Sequence, residues 1–166
     1  DGHVELGHAR DAGIAGHELQ VVQPELMGCP ADMDEGWASV QVLGPGLGQD
    51  GWGRARFEQG IGAAVPLVLD ADGLNWLAQA PRHQDNWVLT PHPGEAARLL
   101  GCSIAEVEGD RFAAVSRLQQ RYGGVVLLKG AGSLICDGRR ISLCDEGNPG
   151  MASAGIVPRA GAFLRL

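Results

Sequence analysis

No run of about 20 apolar residues, the length a helix needs to cross a bilayer, occurs in this chain of 166 residues. A basic n-region followed by an apolar h-region is also missing, so no secretory signal is expected. Basic excess is lacking as well. Thirteen Lys and Arg against 20 Asp and Glu leave a net charge of −7, the opposite of the basic stripe that a nucleic-acid surface needs. Neither a membrane nor a nucleic acid is therefore expected as a partner, although one basic pocket in an acidic protein can still hold a small anion. The four cysteines, Cys29, Cys102, Cys136 and Cys144, form no C-x-x-C pair, and no His-Cys cluster has zinc spacing. Reduced cysteines in a cytoplasmic protein are the expectation, with a Cys136–Cys144 bridge open if the two face each other across a hairpin. His3, His8 and His17 lack metal-like spacing and read as surface residues, so no metal site is expected.

What is present suits a soluble globular domain. Hydrophobic content of 45% and charge of 20% are ordinary, and the length favours one domain, residues 1–166. The 26 glycines signal many tight turns. Val125–Leu128 is a continuous apolar run with a β-branched start, which predicts a strand covered on both faces, as in a parallel sheet. A lone cation, Lys129, follows at once, then Gly130, Ala131, Gly132 and Ser133. Free N–H groups in such a turn, with a lysine beside them, form a seat for phosphate, and the glycines let the backbone come close to a ligand.

Earlier segments repeat this order. Asp1–Gly28 is hard to read beyond a short strand at His3–Leu6. Val40, Val42 and Leu43 read as a strand, followed by Gly44-Pro45-Gly46-Leu47-Gly48 and a short helix over Asp50–Ile61 with Phe57 and Ile61 on one face. Val65–Leu69 is the next apolar run. It ends in Asp70 and Asp72, two carboxylates able to position a hydroxyl or a hydrated cation, unless Asp72 caps the helix of Leu74, Leu77 and Ala78. Pro81 stops that helix. Trp87–Leu89 leads to Thr90-Pro91-His92-Pro93-Gly94-Glu95. Here Pro93 suits a first helical turn, Glu95 favours its positive end, and Gly101 ends the helix. Ser103-x-x-Glu106 is a capping-box pattern. A longer helix from about Asp110 carries Arg111, Val115, Leu118 and Tyr122 on one face and closes at Gly123-Gly124. Asp137-Gly138 between Ser133–Cys136 and Arg140–Leu143 predicts a hairpin, lengthened by the added arginine.

Strand, turn and helix in repetition give an α/β fold: a mainly parallel sheet with helices on both faces in three layers, and a hairpin near the end. Parallel strands put their C-terminal ends on one edge. The glycine turn, the aspartate pair, His92 and Lys129 all fall directly after such strands, so they should converge on one rim, where open α/β sheets bind ligands.

Five segments together resemble the ADP- or ATP-dependent NAD(P)H-hydrate dehydratases, of the ribokinase-like fold. They are Gly44–Gly48, Asp-Ala-Asp-Gly-Leu-Asn at Asp70–Asn75, Thr-Pro-His-Pro-Gly-Glu-Ala-Ala-Arg-Leu-Leu-Gly at Thr90–Gly101, Lys-Gly-Ala-Gly-Ser at Lys129–Ser133, and Gly-Asn-Pro-Gly-Met-Ala-Ser-Ala-Gly at Gly147–Gly155. The resemblance covers roughly Gln23 to Gly155. It implies metabolite repair, in which hydrated NADH or NADPH loses water at the expense of ADP or ATP, with Mg²⁺. The implied course is phosphorylation of the ring hydroxyl and then elimination of phosphate. By resemblance, Lys129, Gly130, Ala131, Gly132 and Ser133 hold the nucleotide phosphates, Ser133 standing where the family usually has threonine. Gly46 and His92 would contact the hydrated dinucleotide, Asp72 and Asn75 would line the same cleft, and Asn148 would lie in a loop closing over the nucleotide. A homo-oligomer is compatible with all of this.

The departure comes after Gly155. The family continues there with a Gly-Met-Gly-Asp-like segment that supplies an anion hole and the general base. This chain reads Ile156-Val157-Pro158-Arg159-Ala160-Gly161, with no Asp or Glu after Glu146. The opening Gly-rich strand-helix unit has no counterpart before Asp1 either. The expectation is a ribokinase-like domain incomplete at both ends, with no catalytic residue to name and impaired activity. The alternatives are a sugar or vitamin kinase on the same fold, and a non-catalytic nucleotide-binding remnant.

Overall fold

The computed structural model describes residues 39–144, all within one compact unit, Ala38–Gly147. Six strands form one sheet in sequential order. They are β1 (Gln41–Leu43), β2 (Leu67–Leu69), β3 (Trp87–Leu89), β4 (Val125–Leu128), β5 (Ser133–Cys136) and β6 (Ile141–Cys144). The first four are parallel, and β4–β5–β6 is an antiparallel meander. Between the parallel strands run α1 (Gly51–Ile61), α2 (Ala71–Gln79), α3 (Pro93–Leu100), α4 (Ile104–Gly109) and α5 (Arg111–Tyr122). The mainly parallel α/β sheet with a terminal hairpin is therefore the observed architecture.

Register explains the layers. Leu43, Leu69 and Leu89 are aligned across β1–β3, and Leu89 faces Val126 of β4. This row joins Phe57, Leu74, Leu77, Leu99, Val115, Leu118 and Tyr122 of the helices in one core. Parallel strands in sequential order, joined by right-handed crossovers, put every connecting helix on the same face. Val68 and Leu127 point to the other face by alternation and are buried as well; no helix covering that face is among the described residues.

Local signals fixed most boundaries. Asp50 caps α1 by accepting the Gly53 N–H at 2.8 Å. Ser103 and Glu106 form the capping box expected of them, and the N–H and hydroxyl hydrogen bonds from Ser103 hold the Glu106 carboxyl below its ordinary pKa. Gly101 ends α3 with φ 67°. The hairpin turn lengthens as expected: Asp137 accepts the N–H groups of Arg140 and Arg139, which lower its pKa, and β6 starts only at Ile141.

Two alternatives that the sequence left open are decided. Asp70, not Asp72, caps α2, its carboxylate accepting the Ala71 N–H at 2.9 Å. The reason is that β2 ends at Leu69, so the helix begins one residue after Asp70. Cys136 and Cys144 do not face each other: Cys136 stands opposite Ile141, and Cys144 opposite Ser133. Both are free thiols, one buried and one exposed. The longer turn sets this register. His3, His8, His17, Cys29, the His3–Leu6 strand and Asn148 lie outside the described residues.

Candidate functional site

The C-terminal ends of β1–β4 are bound to one another by their own backbone. The Asp70 N–H donates to Leu43 O at 3.2 Å, the Thr90 N–H to Leu69 O at 3.1 Å, and the Lys129 N–H to Pro91 O at 2.8 Å. The Thr90 hydroxyl also donates to Leu69 O. The four post-strand segments are thereby stitched in order along one edge, as the reading of a shared rim required.

At one end stands the glycine loop. Gly44 has φ +137°, and a Cβ there would lie 1.7 Å from the Asp70 carbonyl oxygen. Only glycine lets the β1 end lie this close to the β2 end. Gly46 is exposed, with φ +71° and nothing within 4 Å of a Cβ position, so its outer side is open to a ligand. Asp72 ties the loop down from α2. Its Oδ2 accepts the Gly48 N–H at 3.0 Å, and its Oδ1 accepts Gln49 Nε2 at 2.9 Å and Asn75 Nδ2 at 3.3 Å. Trp76 Nε1 donates to Gly48 O at 3.0 Å. The Asn75 side-chain oxygen accepts from Arg98 of α3, which ties the next helix to the same cluster.

At the centre, Lys129 Nζ donates to Asp70 Oδ1 at 2.7 Å, across 59 positions of sequence. Lys129 is the only lysine in the chain, and its side chain remains 34% exposed against 17% for Asp70. The ammonium is therefore held in place yet reachable. Directly after Asp70, Ala71 has φ +46°, the one non-glycine residue with positive φ among those described. An alanine in the left-handed region costs about 1 kcal/mol or more, and backbone strain of this kind gathers at functional sites.

His92 begins α3 as its N-cap. Its Nδ1 accepts the N–H groups of Gly94 and Glu95 at 3.0 and 3.4 Å, while Glu95 Oε2 accepts the His92 N–H at 2.8 Å. Nδ1 is thus an acceptor, which leaves the ring proton on Nε2. The ring is 53% exposed, with Nε2 3.4 Å from Glu95 Oε1. Glu95 itself is buried. Sequence gave the histidine a place at a helix start; the capping box with a histidine in the serine position is what the pattern did not show.

At the far end lies the turn after β4. Gly130 and Ala131 are exposed, Gly132 and Ser133 half-buried. Ser133 opens β5 opposite Cys144. The turn rests on Arg111, whose Nη1 donates to Ala131 O at 2.8 Å and whose Nη2 lies 3.4 Å from both Leu128 O and Lys129 O. A Cβ on Gly130 would sit 2.6 Å from Arg111 Nη2. The close approach that this glycine permits is therefore to an arginine. Sequence placed Arg111 on the face of Val115 and Leu118 but missed this contact. A signal existed: a helix preceding a parallel strand runs against it, so its first residue stands at the strand's C-terminal end.

The NAD(P)H-hydrate dehydratase family profile matches residues 4–156, starting earlier than Gln23 and stopping one residue past Gly155. Similar relatives are the bifunctional NAD(P)H-hydrate repair enzymes Nnr of Vibrio cholerae, 54% identical over 72% of this chain, and of Escherichia coli, 49% identical over 83%. The chain spans 24% and 28% of those two proteins, about a quarter of the curated relatives' length. Among solved structures, a hypothetical protein from Streptococcus mutans is 27% identical with TM-score 0.68, covering 84% of this chain and 54% of that one. The Bacillus subtilis ADP/ATP-dependent NAD(P)H-hydrate dehydratase, co-crystallised with ATP and Mg²⁺ and soaked with CoA, is 25% identical with TM-score 0.68 over the same shares.

Proposed function

The chain belongs to the NAD(P)H-hydrate dehydratase family, and on that premise we propose that it acts in nicotinamide-nucleotide repair, binding hydrated NADH or NADPH together with ADP or ATP. The single observation that carries this reading is the 2.7 Å Lys129–Asp70 pair, which joins the phosphate-type turn to the segments that hold Gly46, Asp72, Asn75 and His92. The nucleotide supplies a phosphoryl group for the ring hydroxyl of the hydrate, whose loss as phosphate restores the dihydropyridine. Phosphoryl transfer asks a protein mainly for placement and charge neutralisation. Lys129 provides the charge, and the Gly130 and Ala131 N–H groups, which donate to nothing among the described residues, provide directional donors. On the dinucleotide side, the half-exposed His92 ring, steadied by Glu95, offers a face to the ligand, and open space at Gly46 admits the substrate backbone. Asp72 and Asn75 act through the loop they fix.

Among the described residues no cluster of three His, Cys, Asp or Glu side chains could hold a metal. Asp70 and Asp72 are already engaged by protein donors. Magnesium fits this chain as the counter-ion of the nucleotide phosphates, the way it commonly binds.

Turnover is expected to be slow. Residues 156–166 hold no carboxylate, and a missing general base lowers rates by roughly 10²–10⁴-fold. The test is to incubate the 166-residue chain with hydrated NADH, ADP and Mg²⁺, following both binding by calorimetry and the return of dihydropyridine absorbance. Binding of both molecules, abolished or weakened in Lys129→Met, with slow turnover is the expected result. Absence of binding by either molecule refutes the proposal.

A further inference from the structure

Arg111 takes no part in the reading above, yet the Lys129–Ala131 turn is built on it. Three carbonyls, from Leu128, Lys129 and Ala131, face its guanidinium, and Gly130, at φ +154°, passes so close that a Cβ there would press on Nη2 at 2.6 Å. The same half-buried side chain keeps its Nε buried with no hydrogen-bond partner. The unpaired Nε is a cost that a methionine of similar length avoids, so what an arginine adds here is its contact with the three carbonyls. Its fixed, planar fork accounts for that contact, because one guanidinium can face several carbonyls at once and an ammonium cannot reproduce that geometry. The anchor is itself held: Asp110 caps α5 by accepting the Ala113 N–H at 2.9 Å, which sets the first residue of the helix at the C-terminal end of β4.

We infer that Arg111 is a positioning residue of the nucleotide subsite: by drawing the three carbonyls to one side of the turn, it leaves the N–H groups of Gly130 and Ala131 to face an incoming phosphate. The inference rests on the nucleotide reading of that turn. Arg111 itself does not touch the nucleotide. Its effect is on the phosphate part of the ligand and not on the nucleoside part.

The experiment is calorimetric titration of the full chain and of Arg111→Met and Arg111→Lys with two probes, ADP and adenosine, alongside thermal melts and amide hydrogen exchange at Gly130–Gly132. Arg111→Met is expected to weaken ADP by about tenfold or more, to leave adenosine within about twofold, and to speed exchange in the turn. Arg111→Lys should recover only part of the ADP affinity, since the fork is lost. ADP affinity unchanged in Arg111→Met overturns the inference. Equal losses for ADP and adenosine, with a lowered melt, also overturn it, since they show a residue that merely supports the fold. If the unaltered chain binds no ADP, the nucleotide reading falls first and this inference with it.

Discussion

Replacing Asp72 by alanine tests the architecture of the rim through its most connected side chain. The carboxylate accepts from three donors: Gly48 N–H at 3.0 Å, Gln49 Nε2 at 2.9 Å and Asn75 Nδ2 at 3.3 Å. A hydrogen bond to a charged acceptor contributes about 1.5–3 kcal/mol. Only the backbone donor earns the full value; the Gln49 contact is exposed and the Asn75 contact long. A carboxylate in the first turn of α2 adds about 0.3–1 kcal/mol through the helix dipole. The expected loss for Asp72→Ala is thus about 2–4 kcal/mol in urea-monitored unfolding. Asp72→Asn is the sharper variant. Its single amide oxygen can keep the Gly48 bond, but its NH₂ then faces a region supplied only with donors, so it should lose about half as much. Because the loop carries Gly46, both variants should also weaken dinucleotide binding while leaving ADP binding nearly unchanged. Asp72→Ala unfolding within about 0.5 kcal/mol of the parent, the range of an ordinary surface substitution, would refute the reasoning.

Two further substitutions probe the frame around the site. Gly44→Ala forces a Cβ to within 1.7 Å of the Asp70 carbonyl at φ +137°; overpacking and backbone strain together should destabilise by about 3 kcal/mol, read as a lower melting temperature. Tyr122→Phe removes the 2.7 Å hydrogen bond to Leu99 O and should cost about 1–2 kcal/mol near neutral pH. Burial raises the Tyr122 pKa, so the unfolded phenol ionises first. The stability this group contributes is present below the unfolded value of about 10 and declines as pH rises through the folded value. The gap between parent and Tyr122→Phe should therefore narrow in alkaline unfolding experiments, and a gap that widens contradicts the burial of the phenol.

Much of this was legible because the decisive signals are local. Val125–Leu128 reads as a buried strand from four residues, Ser103 and Glu106 announce their capping box by spacing, and Gly101 marks a helix end. A shared rim follows from parallel strands alone, which is why Lys129 and His92, far apart in sequence, could be placed on one edge; the order of the strands along it was not legible. What stayed hidden depends on pairs that no local pattern encodes. Asp70 and Asp72 are both two-carbon carboxylates at a strand end, and only the position where β2 stops decides which caps the helix and which latches the loop. The register of Cys136 and Cys144 turns on the length of one hairpin loop. Arg111 looks like any first-turn cation of an amphipathic helix until the strand after it brings a glycine turn to its guanidinium.

The most direct measurement is an amide NMR titration of the isotopically labelled chain, first with ADP and then with hydrated NADH. ADP is expected to shift Gly130, Ala131 and Gly132, and the dinucleotide to shift Gly46 and His92, with Lys129 responding to both. Shifts confined to the opposite edge of the sheet, around Asn86 and Gly138, would contradict that expectation.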